Sequence, residues 1–195
     1  MEALTVEFSK TTLTELMIPS YANFGGKIHG GILLSLMDKV AYACASKHAG
    51  QYCVTVSVDE VEFLAPVEVG ELVHLRASVH HVGNTSLVIG IQVTAENVKN
   101  HTVKHTNTSY FTMVAKNDDN QLVKVPPLKL ESMEEIRRFI EVIKRKKLKS
   151  DAHNKMEKAQ SEFVLAEDFP LLAGQRYETN LSKGDQRLND LFSDT

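Results

Sequence analysis

The segment GGILLSLMDKVAYACASKH, residues 30–48, constrains this chain more than any other. Ile32, Leu33, Leu36, Met37, Val40, Ala41, Cys44 and Ala45 cover well over half the circumference of a helix, so the helix must be buried on most sides. Its polar residues Ser35, Asp38, Tyr42 and Ser46 follow i, i+3, i+7, i+11 and make one narrow stripe. Such a cylinder needs a wrapper, and the rest of the first 130 residues supplies strands. Leu87, Ile89, Ile91, Val93 and Ala95 alternate with Val88, Gly90, Gln92 and Thr94, and Val73, Leu75, Ala77 and Val79 with His74, Arg76, Ser78 and His80. Gly83-Asn84-Thr85 between these runs predicts a hairpin turn. Strands are predicted at about 3–8, 11–17, 53–64, 71–82, 86–96 and 104–116. In the third of these, Val54, Val56 and Val58 share one face while Val61 and Phe63 share the other, which predicts a bulge at Asp59-Glu60. One helix wrapped by five or six antiparallel strands is an α+β fold.

Pro126-Pro127 closes this domain, taken as residues 1–130, because neither residue can donate a backbone hydrogen bond. Residues 131–149 form an amphipathic helix with Glu131, Glu134 and Glu135 early and Lys144, Arg145, Lys146, Lys147 and Lys149 late, matching the helix dipole. Ile136, Phe139, Ile140 and Ile143 make its packing stripe. Residues 150–195 hold too few apolar residues for a core of their own and are expected to be irregular or loosely docked.

Composition narrows the function. The 22 Lys+Arg against 25 Asp+Glu give a formal net charge of -3, so no global field exists to hold nucleic acid. Two cysteines, Cys44 and Cys53, do not make a secreted disulfide scaffold, and a cytoplasmic setting fits. The first 17 residues lack the pattern of a secretory signal, and no apolar run approaches the roughly 20 residues of a membrane span. The histidines are scattered without ligand spacing, with His80 and His81 on opposite strand faces, so no metal site is expected. Glycine-rich nucleotide motifs are missing as well.

The richest stretch for chemistry is NFGGKIHGGILLSLMD, residues 23–38. Gly30 and Gly31 open the helix without side chains, so a substrate oxygen can approach its first-turn N–H groups and form an oxyanion site; equally, the glycines let the helix enter tightly under the sheet. Asp38 lies in the middle of the apolar helix, where a carboxylate is satisfied by structural hydrogen bonds, exposed at an edge beside Lys39, or retained for chemistry. Eight residues of helix, about 12 Å of rise, separate Gly30 from Asp38. If both act on one reacting carbon, two chains must share the site. His29 can donate to substrate or be solvated; Thr55 and Ser57, on one polar strand face, can orient water or Asp38.

The runs NFGGKIHGGILLSLMDKVAYACA, VTVSVDEVEFLAPVEVGELV, GNTSLVIGIQVTAEN and TNTSYFTMVAKNDDNQLVKVPPL resemble, in order and spacing over about residues 23–128, the hotdog-fold acyl-CoA thioester hydrolases of the bacterial and brain-type cytosolic group. The resemblance implies a long helix wrapped by a curved five- or six-stranded sheet, assembled as dimers or trimers of dimers with active sites at the interface. It implies hydrolysis of acyl-CoA to fatty acid and CoA without metal or other cofactor. The family's catalytic Asp matches Asp38, its loop Asn matches Asn23, and its Gly-Gly matches Gly30 and Gly31. By the same analogy the turn Asn84-Thr85-Ser86 becomes a CoA contact. The expected mechanism has Asp38 as general base or nucleophile, Gly31 N–H on the thioester carbonyl and Asn23 positioning substrate or water. A hotdog enoyl-type hydratase is the rival enzyme, disfavoured because Asp38 has no matching helix histidine; a non-catalytic acyl-CoA sensor is the rival from another class.

Overall fold

The computed structural model describes residues 1–178. Its elements run β1 (Leu4–Thr5), α1 (Val6–Ser9), β2 (Thr11–Leu16), α2 (Gly30–Ala49), β3 (Tyr52–Val58), β4 (Leu72–Val82), β5 (Ser86–Asn97), β6 (Thr102–Lys116), β7 (Leu128–Lys129), α3 (Met133–Ser161) and α4 (Leu165–Asp168). The antiparallel sheet has the order β2-β4-β5-β6-β3, and α2 touches all five strands. This is the helix-in-curled-sheet arrangement expected from the sequence. Met37, Val40, Ala41, Cys44 and Ala45 of α2 pack into one core with Val73, Leu75, Leu87, Ile89, Ile91, Phe111 and Met113. Small residues at positions 41, 44 and 45 let the helix backbone come close to the sheet. Gly50, at φ 62°, ends α2 by donating its N–H to Ser46 O at 2.9 Å.

Several boundaries differ from expectation. Only Leu4–Thr5 of the first predicted strand is extended, pairing with β7; Thr5 Oγ1 accepts from Phe8 N at 3.2 Å and caps the single turn α1, a local bond that competes with a ladder. β3 ends at Val58, although Asp59 N and Leu64 N still donate to Tyr110 O and Thr106 O. The bulge lies earlier than Asp59-Glu60: Thr55 pairs with Met113 and Ser57 with Thr112, leaving Val56 as the extra residue. The extra residue shifts the alternation, so Ser57 leaves the row that Thr55 shares with Met113. A second bulge in β4 leaves His80 unpaired, with Val79 opposite Ile89 and His81 opposite Val88. His80 and His81 therefore share the outer face of the sheet instead of dividing between two faces: His80 meets the Tyr110 ring edge-on, and His81 lies against Phe139 with centroids 4.6 Å apart.

α3 begins with a capping box, Glu135 N donating to Ser132 Oγ and Ser132 N donating to Glu135 Oε2, both at 3.2 Å. Its body-facing residues are Phe139 and Val142, the latter buried with Val88 and Tyr110. Ile136, Ile140 and Ile143 of the expected stripe are exposed. The helix also continues well past Lys149 to Ser161, because residues 150–161 contain no Gly or Pro and include the i,i+4 pair His153–Glu157 at 3.1 Å. The basic run thus falls mid-helix rather than at a C-terminus. The chain divides into two compact units, Met1–Lys144 and the residues from Arg145 onward; of the expected tail, residues 179–195 lie outside the described residues.

Burial, reinforced by Arg138, pushes the His80 imidazole down to about 4 from its ordinary 6.5. The folded protein keeps the ring neutral while the unfolded chain takes up a proton, so the contribution is complete above pH 6.5 and is lost as pH falls toward 4. Stability is expected to drop by about 2 kcal/mol between pH 7 and pH 5 from this group. Urea midpoints across that range should show a flatter slope for His80→Gln than for the wild type. His48, fully buried and pushed down by burial in the same way, leaves some slope in the variant.

Candidate active site

Asp38 sits on the stripe of α2 that the sheet does not cover, together with Leu34, Ser35, Lys39 and Tyr42, all exposed. The stripe is open because the neighbouring strand, β3, is the last of the sheet. From that edge strand Thr55 Oγ1 donates to Asp38 Oδ1 at 2.6 Å, a short charge-assisted bond that fixes the carboxylate and leaves its second oxygen available. Of the three situations open to Asp38 from the sequence, the structure combines edge exposure with a hydrogen bond. A groove of about 310 Å³ opens beside it, lined by Lys39, Tyr42, Tyr52 and Met113 as well as Asp38 and Thr55. The Tyr42 and Tyr52 rings are 6.0 Å apart between centroids.

The other predicted residues gather at the start of α2. Asn23 Oδ1 accepts from Gly25 N at 2.9 Å and Lys27 N at 3.2 Å, and Asn23 N donates to Lys27 O at 2.7 Å. The carbonyl end of the side chain holds the loop; the amide NH₂ end takes no part in those bonds. His29 caps the helix, its Nδ1 accepting from Gly31 N at 2.9 Å. The N–H expected to polarise a carbonyl is therefore already engaged, and His29 is neither simply solvated nor free. The glycines also have packing reasons: a Cβ on Gly30 would stand 3.3 Å from the Phe63 ring, and one on Gly31 3.0 Å from His29 Nδ1. Sequence reading did not assign Phe63, Tyr52 or Met113 to the site, because their places there depend on chain segments far from α2.

The Val56 bulge puts Ser57 opposite Thr112, out of the row that Thr55 shares with Met113. The Asn84-Thr85-Ser86 turn is anchored through its backbone, with Thr85 O accepting from Ala115 N and Asn84 O from Val125 N, both at 3.0 Å. Ser86 is opposite Val114, which is opposite Val54. The turn thus lies two strand spacings, about 10 Å, from β3. Among the described residues no three His, Cys, Asp or Glu side chains gather as metal ligands, and no helix is long and apolar enough to cross a membrane.

The model of the thioesterase superfamily matches residues 25–100. Protein VdlD of Helicobacter pylori (strain ATCC 700392 / 26695) is 40% identical over 151 residues, which cover 77% of this chain and 86% of VdlD. Among solved structures, an apo-hexameric acyl-CoA thioesterase is 31% identical with a TM-score of 0.76, over 78% of this chain and 98% of that one. The acyl-CoA hydrolase from Staphylococcus aureus, solved with butyryl coenzyme A, coenzyme A and coenzyme A disulfide, is 27% identical with a TM-score of 0.71, over 84% and 99%. That hydrolase has also been solved with one asparagine and with one threonine replaced by alanine, at positions thirty-two residues apart. With this fold, and with relatives of this identity covered over nearly their whole length, the chain belongs to the hotdog-fold acyl-CoA thioester hydrolase family.

Proposed function

We propose that this chain hydrolyses acyl-CoA thioesters to a free fatty acid and CoA, with Asp38 as the reacting carboxylate. The observation that carries the reading is the Thr55–Asp38 bond on the uncovered stripe of α2, inside a fold whose hexameric and CoA-bound relatives are named acyl-CoA thioesterase and hydrolase. The interval between Asn23 and Thr55 equals that between the asparagine and threonine replaced in the S. aureus enzyme, which supports a role for both here.

In this mechanism Asp38 either removes a proton from water as it attacks the thioester carbon or attacks that carbon itself to give an anhydride that water then opens. CoA thiolate leaves readily and needs little protonation, so water is the only co-reactant and no metal or cofactor is required. The carbonyl oxygen is held by the N-terminus of α2. For Gly31 N–H to serve, the His29 ring must give up its bond; the cap then exchanges an imidazole nitrogen for the substrate oxygen. Because one chain's Gly31 and Asp38 are about 10 Å apart along the helix, the site is formed by two chains, the loop and helix start of one facing Asp38 and Thr55 of the other. The free edge of β3 and exposed Leu34, Tyr42, Tyr52, Val56 and Val58 around Asp38 suit such a homo-oligomer.

The test is thiol release from acyl-CoAs of graded chain length. Turnover with at least one member is expected, and Thr55→Val should lower kcat by about tenfold or more through loss of a hydrogen bond to a charged group. Tight acyl-CoA binding with no thiol release from any member would instead identify a sensor.

A further inference from the structure

The outer face of the sheet, opposite α2, carries a second cavity of about 330 Å³ under the first turns of α3. Its floor is set by register. Arg76, Gln92 and Thr108 are opposite one another on β4, β5 and β6, and the adjoining row is Ser78, Gly90 and Tyr110. Gly90 makes room for His80: a Cβ there would clash with the His80 ring, which occupies that space. His80 is held by Ser78 Oγ at 3.0 Å, and burial keeps it neutral, so the positive charge of the cavity comes from other residues. Arg137 and Arg138 line it from α3 and Lys10 from the β2 side.

Arg137 and Arg138 are aimed by carboxylates, both reaching Glu134, at 2.7 and 2.8 Å, and Arg137 also reaching Glu141 at 2.9 Å. Arg76 is different. Its cross-strand neighbours are Thr12 and Gln92, and its hydrogen bond among the described residues is a long one, 3.4 Å, to Thr94 Oγ1. Among the described residues no carboxylate lines the cavity. Arg76, which has no anionic partner among the described residues, thus lines the same cavity as two guanidiniums held by carboxylates, with Gln92 and Thr108 beside it. Planar, multiply donating arginines in this arrangement match phosphate oxygens better than a single carboxylate, and the volume lies at the lower end of the range for small-ligand sites.

We propose that this cavity binds the phosphate or pyrophosphate group of a small phosphorylated ligand, held between Arg76 and the Arg137–Arg138 pair. The site goes beyond the hydrolytic reading: the sheet separates it from the same chain's Asp38 and Thr55, so ligand bound there touches neither.

Calorimetric titration of the full chain with inorganic pyrophosphate tests this. Wild type should bind, and Arg76→Gln and Gln92→Glu should each weaken binding at least tenfold. Gln92→Glu is near-isosteric and exposed, and it places a carboxylate opposite Arg76, so it should remove the site without lowering Tm. Asp38→Asn should bind pyrophosphate as wild type does, whatever its turnover, which separates failure of this site from failure of the proposed reaction. Displacement of pyrophosphate by CoA would support the site with CoA as the source of the phosphate; pyrophosphate binding unaffected by CoA would support it with a separate phosphorylated ligand. No pyrophosphate binding by wild type, or equal binding by Arg76→Gln and Gln92→Glu, overturns the proposal.

Discussion

Asp38→Asn is expected to lower kcat for acyl-CoA hydrolysis by about 10²–10⁴-fold, the usual contribution of a positioned base. The substitution keeps the volume and the oxygen that accepts from Thr55 Oγ1, and the position is exposed, so Tm should stay within a degree or two of wild type. CoA affinity should also be retained, because the carboxylate is asked to act on the acyl carbon and not on the nucleotide. Steady-state kinetics, calorimetry with CoA and thermal melts on one preparation check all three. A fall in kcat of less than about tenfold with a normal melt would mean that the Thr55–Asp38 bond serves only to tie α2 to the sheet edge.

The parts of the fold that depend on periodicity were legible in the sequence, and those that depend on pairing were not. α2 was readable to within a residue because its apolar positions repeat over five turns, and β4, β5 and β6 because they alternate. A bulge leaves no such mark. Nothing local to Val56 or His80 distinguishes an extra residue from a paired one; only the partner strand does. Two errors followed directly, Ser57 placed beside Thr55 and His81 placed across the sheet from His80. The end of α3 was missed for a related reason: Lys144 to Lys149 fit the dipole of a helix end, but no glycine or proline stops the chain there.

The candidate site was legible in its residue types more than in its contacts. Asp38 stood out as a carboxylate in an apolar helix, yet its exposure follows from β3 lying at the sheet edge, which strand order alone decides. Its bond to Thr55 crosses seventeen residues and a chain reversal. At the start of α2 the two glycines were visible, but histidine is an unusual N-cap, so the engagement of Gly31 N–H by His29 had no signal. In the proposed mechanism, oxyanion stabilisation and helix capping therefore draw on one donor.

Mixing two inactive variants tests the shared site, and the expected result is recovery of activity. Asn23→Ala and Asp38→Asn should each be nearly dead alone. Asn23 belongs to the loop before α2, closed on itself by the Ala22–Ile28 bridge, while Asp38 lies more than two turns along the helix. If each site takes Asn23 from one chain and Asp38 from the other, a mixed dimer has one site with both lesions and one with neither. Random assortment makes about half the dimers mixed, each with one intact site, so roughly a quarter of wild-type activity should return. The recovered activity should carry the wild-type KM, since the restored site is chemically intact. If both residues served one site within a chain, every site in the mixture would keep a lesion. Co-expressed variants, with mixed dimers verified by mass, that stay as inactive as either parent would therefore place Asn23 and Asp38 in the same protomer's site and remove the need for the His29 cap to open toward a neighbour.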